Sequence, residues 1–384
     1  MTISEYSEKK LFILSLLLFL VQGDNYASAA VVVEIARDFN MHISQAGLFV
    51  TAYLLPFGIF TLFFGPMADK YGKAKVISIG AFAVSIFCTL GGFALGLVSL
   101  SLIRAVNGIF AASIIPVTIS LIGEKFSYDP KAMQNALGRA LGMLFMGAAA
   151  APIIAGTLTY LVFWRMVYFA YGLAIFTTAI FIRKTLDKSN IVNSNLSLKS
   201  VYREAFGNKR LINLVSAEFF LGFSVLGSFM YSGDFVQETT TFNIFWVGVA
   251  LTFFGLGTVI GGRHAASIKE KVGPSIIIYA GVLGFLCWGL MGFIGIYYFM
   301  LVAFLGYGFS FILLHTFIVT TAQNLIPDKK GLVMSLVSFN LFVGGGLGTL
   351  VNSYVLSFSD FMFVFFLAGI FIFTAGVLTY KFIN

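Results

Sequence analysis

The chain has 384 residues, of which 59% are hydrophobic and only 10% are charged, and its mean hydropathy is +0.95. A soluble domain of this length needs far more charge to cover its surface, so that class is excluded. Many apolar runs exceed the roughly 18 residues that separate a membrane helix from a buried core helix. We therefore expect an all-α membrane protein. Its formal charge of +8 then bears on membrane orientation, and no nucleic acid partner is expected.

Polar breaks divide the chain into twelve apolar spans. One long polar segment, enriched in Ser, Asn and Lys, separates the sixth span from the seventh. We predict an N-terminal six-helix bundle over 1–183, a cytoplasmic linker over 184–210 and a C-terminal six-helix bundle over 211–384. The spans are expected at 11–36, 46–68, 76–97, 99–122, 135–160, 164–183, 211–237, 244–266, 274–294, 297–322, 332–356 and 361–381.

Basic residues gather at one end of the spans. Of the 24 Lys and Arg residues, 21 fall at that end, and Arg37, Arg104 and Arg165 are the exceptions. Because basic loops are retained on the cytoplasmic side, we expect a multi-pass protein of the cell membrane with both termini inside. The 21 residues are Lys9, Lys10, Lys70, Lys73, Lys75, Lys125, Lys131, Arg139, Arg183, Lys184, Lys188, Lys199, Arg203, Lys209, Arg210, Arg263, Lys269, Lys271, Lys329, Lys330 and Lys381.

The segment between the second and third spans combines one carboxylate, three Lys and helix-breaking residues. It reads Gly65-Pro66-Met67-Ala68-Asp69-Lys70-Tyr71-Gly72-Lys73-Ala74-Lys75. This spacing resembles the loop 2–3 signature of the major facilitator superfamily, Gly-x-x-x-Asp-(Arg/Lys)-x-Gly-(Arg/Lys). The alternative is a positively charged stop after a span. The resemblance implies two pseudo-symmetric six-helix bundles and a conformational latch, in which Asp69 meets the positive N-terminus of the eleventh span near Gly331. The latch residues are Gly65, Asp69, Lys70, Gly72 and Lys73.

A weaker copy of this segment occupies the same place in the C-terminal half. It reads Ala266-Ser267-Ile268-Lys269-Glu270-Lys271-Val272-Gly273. Its Glu270-Lys271-x-Gly273 corresponds to Asp69-Lys70-x-Gly72. The repeat supports two parallel halves related by an axis along the membrane normal.

Asp24 and Asn25 lie near the middle of the first span. An ionised carboxylate at that depth costs several kcal/mol unless it is paired or hydrated, so membrane-embedded acids are candidate functional residues. The run Asp24…Ile35-x-x-Asp38-Phe39 resembles the first-helix signature of the drug–proton antiporters of this family. It departs from that signature at Val33, where a Pro is expected.

One helical face of the fourth span carries Arg104, Asn107, Gly108, Ala111 and Ile115. The pattern resembles the fourth-helix motif of the family, Arg-x-x-(Gln)-Gly, with Asn107 in the Gln position. Arg keeps its positive charge, so it can hold a nearby acid ionised. We hypothesise that Arg104 pairs with Asp24, directly or through water. The alternative is an Arg that reaches to the outer surface.

The fifth span matches the spacing of the antiporter signature Gly-x8-Gly-x3-Gly-Pro-x2-Gly-Gly, with Ala at two Gly positions. The small residues predict close helix packing and the Pro predicts a bend. The resemblance implies an exporter, and the alternative is ordinary packing of small residues. The matching residues are Gly138, Gly147, Pro152 and Gly156.

The seventh span carries Glu218 and, toward its outer end, Tyr231 and Asp234. At about 100° per residue, the two acids lie about 160° apart around the helix. A straight helix cannot direct both into one cavity, although Gly222 and Gly227 allow a bend. Asp234 is therefore the better cavity candidate.

The remaining chemistry-bearing residues are isolated in the sequence. His315 in the tenth span is a lone imidazole, which packs or hydrogen-bonds more often than it carries protons. Cys88 and Cys287 lie in apolar runs and are predicted to be packing residues. No metal cluster, phosphate loop or nucleophilic triad is evident, so we expect no enzyme activity, no cofactor and no metal.

These observations predict a proton-coupled antiporter that exports an amphipathic small molecule by alternating access. The membrane-embedded acids outnumber Arg104, which favours a cationic or zwitterionic substrate. A specific exporter of an endogenous sugar, nucleoside or metallophore, a lipid flippase and a non-transporting receptor stay open as alternatives. The expected partners are the substrate, protons and the lipid bilayer, and a monomer is expected. Proton coupling is assigned to Asp24, Arg104, Glu218 and Asp234, and substrate binding to Asp24, Asn107, Tyr231, Asp234 and His315.

Overall fold

The structure is a computed structural model that describes residues 3–186, 202–203, 206–326 and 330–383. Within these residues, twelve helical segments are long and apolar enough to cross a membrane, which confirms the predicted fold class. We number them α1 to α12 and mark two broken helices with a and b. Their bounds are α1 Ile3–Asp38, α2 Ile43–Tyr71, α3 Lys73–Gly91, α4a Leu97–Ala111, α4b Ile115–Lys125, α5 Pro130–Leu161, α6 Arg165–Thr185, α7a Lys209–Phe229, α7b Ser232–Thr240, α8 Ile244–Val272, α9 Ile276–Gly284, α10 Tyr297–Leu325, α11 Lys330–Leu356 and α12 Phe361–Ile383.

Three short elements complete the described helices. A 3₁₀ turn at Gly273–Ser275 precedes α9, a π-helical turn at Phe285–Gly289 extends it, and a second 3₁₀ turn covers Met291–Phe293. Successive spans run in opposite directions, so α1 begins and α12 ends at the same face of the bundle. We call this the terminal face and the opposite one the distal face. The predicted cytoplasmic side corresponds to the terminal face.

The two six-helix halves meet along two helix pairs, α2 with α11 and α5 with α8. Small residues allow the second pair to approach closely near the distal face. A Cβ added at Gly248 would lie 2.5 Å from the carbonyl oxygen of Pro152, and one at Gly156 would lie 2.7 Å from that of Ile244. Within a membrane the hydrophobic effect does not drive helices together, so the van der Waals contact between closely packed small residues takes its place. Toward the terminal face, a Cβ added at Gly138 or Gly142 of α5 would have no neighbour within 4 Å among the residues that the structure describes.

Helix α4 breaks because of a proline. Pro116 lacks an N–H donor and its ring clashes with the carbonyl four residues earlier, at Ala112. The chain therefore turns between α4a and α4b, and Ile114 donates its N–H to Ala111 three residues back.

Helix α7 breaks at Met230 and Tyr231, later than the glycines at which a bend was expected. Gly222 and Gly227 instead pack against α11, where an added Cβ would collide with the Leu341 carbonyl or lie 2.7 Å from the Gly348 Cα atom. Their role is therefore close approach, and the helix breaks instead at Met230 and Tyr231.

The repeated segment takes the same form in both halves. Most of the predicted loop 2–3 is helical, because α2 continues to Tyr71 and ends at Gly72, with φ of 93°. In the other half, α8 continues to Val272 and Gly273 follows it, with φ of 73°. Both conformations are left-handed ones that favour glycine.

Much of the predicted linker lies outside the described residues, which omit 187–201 and 204–205. Of the part that is described, Tyr202 donates its hydroxyl to the carbonyl of Leu62 on α2, at 2.6 Å. Asn208 accepts the N–H of Leu211 at 3.0 Å and caps the start of α7a. The proposed domain boundaries stay a prediction.

Candidate functional site

A buried charge pair joins α1 to α4a inside the N-terminal half. Arg104 donates from Nη1 to Oδ2 of Asp24 at 2.8 Å, and Asn107 donates from Nδ2 to the same oxygen at 3.0 Å. Asp24 is 4% exposed and Arg104 1% exposed. Arg104 therefore points inward and contacts Asp24 directly, without an intervening water.

Aromatic rings surround this pair. The guanidinium carbon of Arg104 lies 4.2 Å from the ring centre of Tyr53 and 5.9 Å from that of Tyr168. Such cation–π contacts strengthen when the cation is desolvated. Tyr53 could not be predicted as part of this site, because an aromatic residue in an apolar span is far more often a packing residue.

The Cys88 thiol completes the surroundings of Asp24. Its Sγ lies 3.4 Å from Oδ1 of Asp24 and 3.5 Å from the carbonyl oxygen of Tyr168, and Cys88 is fully buried. The prediction that Cys88 is a packing residue rather than part of a disulfide or metal pair agrees with its free, buried thiol, and that thiol is also a weak donor within reach of Asp24.

The N–H groups of Arg104 are not all satisfied. Its Nε and Nη2 atoms are buried without a partner among the described residues, as is Oδ1 of Asn107. Buried unpaired donors and acceptors are costly, and they concentrate at functional sites. This arrangement can therefore change partners when the charge on Asp24 changes.

A small cavity lies between the halves, and Asn25, the residue that follows Asp24 in α1, contributes to its wall. Its wall includes Asn25 and Tyr26 of α1, Leu54 of α2, and Phe229 and Met230 of α7. The Tyr26 and Phe229 ring centres are 5.6 Å apart. The wall is therefore apolar and aromatic, with the Asn25 amide as a polar group, a composition typical of small-molecule sites.

A second acid–base pair lies inside the C-terminal half, between α7a and α10. His315 Nδ1 is 3.0 Å from Glu218 Oε1. The Glu218 side chain is fully buried and that of His315 is 18% exposed. The interpretation of His315 as an imidazole that packs or hydrogen-bonds agrees with this contact. Its partner could not be predicted, because sequence alone does not reveal which residues of different spans face each other.

Tyr231 and Asp234 lie near the distal face. The Tyr231 hydroxyl donates to the Thr349 carbonyl at 2.9 Å, and Tyr231 also contacts α2 at Gly47. Asp234 is 6% exposed and lines a crevice with Arg37, His42, Gln237 and Glu238. Asp24, Glu218 and Asp234 thus have three separate sets of neighbours, and a substrate site that includes Asp24, Asn107, Tyr231, Asp234 and His315 stays a prediction.

The other acid of the first-helix resemblance lies at the distal end of α1. Asp38 accepts from Nη1 of Arg165 at 2.6 Å and from Nε1 of Trp164 at 3.3 Å. Arg165 also donates to the carbonyl of Ala94 at 3.2 Å. This cluster ties α1 to α6 and to the turn after α3, a structural role.

The latch residues lie at the terminal face. Lys73 Nζ is 3.6 Å from Oδ1 of Asp69 and 3.1 Å from Oε1 of Glu124, so it joins α3 to α2 and α4b. An added Cβ at Gly65 would lie 3.1 Å from Oγ of Ser335 on α11. Lys70 lies over the Tyr71 ring at 5.3 Å. Residues 327–329, next to the start of α11, lie outside the described part, and the contact of Asp69 with that helix stays a prediction.

The antiporter-like residues of α5 divide into contact and non-contact positions. An added Cβ at Gly147 would collide with the carbonyl of Phe19 on α1, while Pro152 and Gly156 approach α8. Gly138 has no such neighbour. In the described residues, no group of three or more His, Cys, Asp or Glu side chains is placed to hold a metal ion.

Comparison with known proteins relates the whole arrangement to one family. The sequence profile of the Major Facilitator Superfamily matches residues 14–349. The uncharacterised MFS-type transporter YceJ of Bacillus subtilis is 22% identical over 356 residues, which cover 88% of this chain and 87% of that protein.

Proteins with names that state an efflux or resistance role match over shorter lengths. The quinolone resistance protein NorB of Staphylococcus aureus is 26% identical over 65% of this chain and 50% of its own length. The multidrug efflux pump LfrA of Mycolicibacterium smegmatis is 28% identical over 41% of this chain and 31% of its own length.

Two solved structures share the fold. A variant of the nucleoside transporter NupG superposes with a TM-score of 0.79 at 14% identity, covering 98% of this chain and 99% of that one. A bacterial homologue of the lysosomal transporter Spinster, in an inward-facing and unoccupied conformation, superposes with a TM-score of 0.68 at 17% identity, covering 98% and 96%. At these identities the likeness concerns the fold alone.

Proposed function

The chain belongs to the Major Facilitator Superfamily, and we propose that it is a proton-coupled antiporter that exports amphipathic small molecules across a bacterial cell membrane. The family and its relatives identify a multi-pass membrane transporter rather than an enzyme. Proton coupling, export and the substrate class are the proposed parts.

The buried Asp24–Arg104 pair carries the proposal. Removing one partner of such a pair leaves an unpaired buried charge, which is strongly destabilising. Protonation of Asp24 therefore removes the negative charge that pairs with Arg104, and Arg104, which keeps its own charge, must find other acceptors. A cationic substrate that competes with the proton for Asp24 would couple the two movements in opposite directions.

The aromatic lining of this cavity, about 20 Å³ in volume, supports an amphipathic substrate once the halves separate, because a drug-sized molecule needs roughly 300 Å³ or more. Tyr26 and Phe229 offer ring faces from both halves, and Asn25 offers a hydrogen-bonding group beside Asp24. Aromatic faces bind apolar surfaces and attract organic cations. The names of NorB and LfrA agree with such a substrate. Substrate roles are proposed for Asp24, Asn107, Tyr231, Asp234 and His315, and further proton-coupling roles for Glu218 and Asp234.

Alternating access provides the proposed mechanism. The close contacts of Gly156 and Gly248 lie on the distal side, where they would close the route to the outside. Opening the distal side requires α5 and α8 to separate there, while the halves approach at the terminal face. In that state Asp69 would act as the latch against α11. The basic residues support a cytoplasmic terminal face.

Inside-out membrane vesicles from an efflux-deficient bacterial host test this function. With ethidium as the probe, an imposed proton gradient should drive dye accumulation by the wild-type protein. Asp24→Asn should reduce it more than about tenfold, because an amide cannot exchange the proton. Asp129→Asn is the matched control, since Asp129 is exposed and Asn also serves as an N-cap there. Wild-type activity in Asp24→Asn would reject proton coupling at this residue.

A further inference from the structure

Each half contains one buried acid–base pair on equivalent helices. In the N-terminal half, the acid Asp24 lies on the first helix and its partner Arg104 on the fourth. In the C-terminal half, the acid Glu218 lies on the first helix, α7a, and its partner His315 on the fourth, α10. The repeat of the fold thus extends to the placement of its buried charges.

The two pairs differ in chemistry. Arg does not lose its proton under physiological conditions, so the Asp24–Arg104 pair keeps a fixed positive charge. An imidazole gains and loses a proton between about pH 5 and 8. Glu218–His315 can therefore exist as an ion pair or with one proton fewer, and both arrangements keep a hydrogen bond between the same two atoms.

The two pairs also differ in depth. Glu218 follows the start of α7a by nine residues, about 14 Å of helix, whereas Asp24 follows Glu8, the start of the first span, by sixteen residues, about 24 Å. The C-terminal pair therefore lies closer to the terminal face. Its exposed member is His315, while Oε2 of Glu218 is buried with no partner among the described residues.

Few other charges act on the pair. Phe311, one turn away on α10, stacks on His315 at 5.7 Å. Helix α8 carries Arg263 and His264, both exposed. The described parts of α11 and α12 place no charged side chain in ion-pair contact with Glu218 or His315, and Asn340 of α11 donates to its own helix, at the Leu336 carbonyl. The protonation of the pair is therefore set mainly by its two members.

We propose that Glu218 and His315 form a second proton-exchange site, which loads and releases one proton through the terminal side of the protein independently of Asp24. The inference rests on the proposed proton-coupled transport and deepens it by assigning one proton to each half. Glu218 is the positioning residue that stabilises the imidazolium, and His315 is the group that exchanges the proton.

Nitrogen NMR of the full-length protein tests the site without any substrate. The chain has three His residues, so a sample labelled with ¹⁵N-histidine gives few signals, and His315→Gln identifies the one of interest. We expect His315 to convert between imidazole and imidazolium within pH 5 to 9. Glu218→Gln should lower its imidazolium-to-imidazole ratio about tenfold at a given pH, since the stabilising carboxylate is lost.

Glu270→Gln is the matched control, because Glu270 is an exposed acid near the same face, and it should leave the ratio unchanged. A His315 signal that does not titrate overturns the proposal. An imidazolium-to-imidazole ratio that is unchanged in Glu218→Gln overturns it as well. Size-exclusion elution of each variant with the wild-type protein shows that the comparison is between folded proteins.

Proton counting links the site to transport. In proteoliposomes, His315→Arg gives the C-terminal pair a permanent charge like that of Arg104, so ethidium movement should consume one proton fewer per dye molecule. An unchanged proton count overturns the assignment of one proton to this half. If the wild-type protein moves no ethidium, the proposed function fails, while the titration of His315 still decides whether the exchange site exists.

Discussion

The Cys88 thiol lies 3.4 Å from Oδ1 of Asp24, the carboxylate oxygen that Arg104 and Asn107 leave uncovered. Both oxygens of a candidate coupling acid are therefore contacted by donors, one by two strong donors and the other by a weak one. A proton added to Oδ1 would replace only the weak contact with the thiol, whereas a proton added to Oδ2 would compete with two strong hydrogen bonds.

Cys88→Ala should shift the pH profile of ethidium movement. The substitution removes a weak donor to Oδ1 of Asp24, so the pH of half-maximal transport should rise by about 0.5 unit. The measurement is the pH profile of transport in vesicles. Cys287→Ala should keep the wild-type midpoint, because in the described part of the chain no acidic side chain contacts that thiol. Equal midpoints in both variants would show that the thiol only packs.

Arg104→Gln should destabilise the protein by about 3–5 kcal/mol, because Asp24 would be left buried and unpaired. A second substitution in the same protein, Asp24→Asn, should recover most of that lost stability. The free energy of unfolding in mixed micelles measures both effects. The exposed pair Arg139–Glu8, 2.7 Å apart, serves as the control, and breaking it should cost about 0–1 kcal/mol. A similar loss of stability on breaking either pair would show that burial does not determine how much an ion pair contributes.

Gly248→Ala should reduce transport more than about tenfold while the protein still folds. The added methyl would lie 2.5 Å from the Pro152 carbonyl oxygen, so α5 and α8 could not close at the distal face. Gly142→Ala makes the same change where no neighbour lies within 4 Å and should retain transport. Gly138→Ala should behave like Gly142→Ala. Comparable activity in all three variants would rule out a closing contact at Gly248.

Asp69→Asn should impair transport about fivefold or more and shift the protein between its two openings, because the latch requires a carboxylate. Glu124→Gln removes the other partner of Lys73 and tests whether that ion pair alone explains the effect. We expect a loss of about twofold or less for Glu124→Gln, since its pair is partly exposed. Wild-type transport in Asp69→Asn would refute the latch.

The sequence was most informative where a single physical constraint dominates. Twelve spans could be predicted because a membrane helix needs a long apolar run, and Asp24 and Arg104 were recognisable because charges are rare there. Glu218 and His315 are equally rare charges, but their contact depends on how α7a and α10 are rotated. Span hydropathy carries no information on that rotation, and the same holds for Cys88. The break in α7 has no proline to mark it.

The charge pairs described above each join residues of one half: Asp24 with Arg104, Asp38 with Arg165, Lys73 with Asp69 and Glu124, and Glu218 with His315. Contacts between the halves instead involve glycines, stacked rings such as Phe57 with Phe342 at 3.8 Å, and a hydrogen bond from the Ser353 hydroxyl to the Ser44 carbonyl. Sliding along such a surface separates none of these opposite charges. In Asp69→Asn, which lacks the proposed latch, the rate of switching should therefore depend on bilayer thickness and temperature far more than on ionic strength.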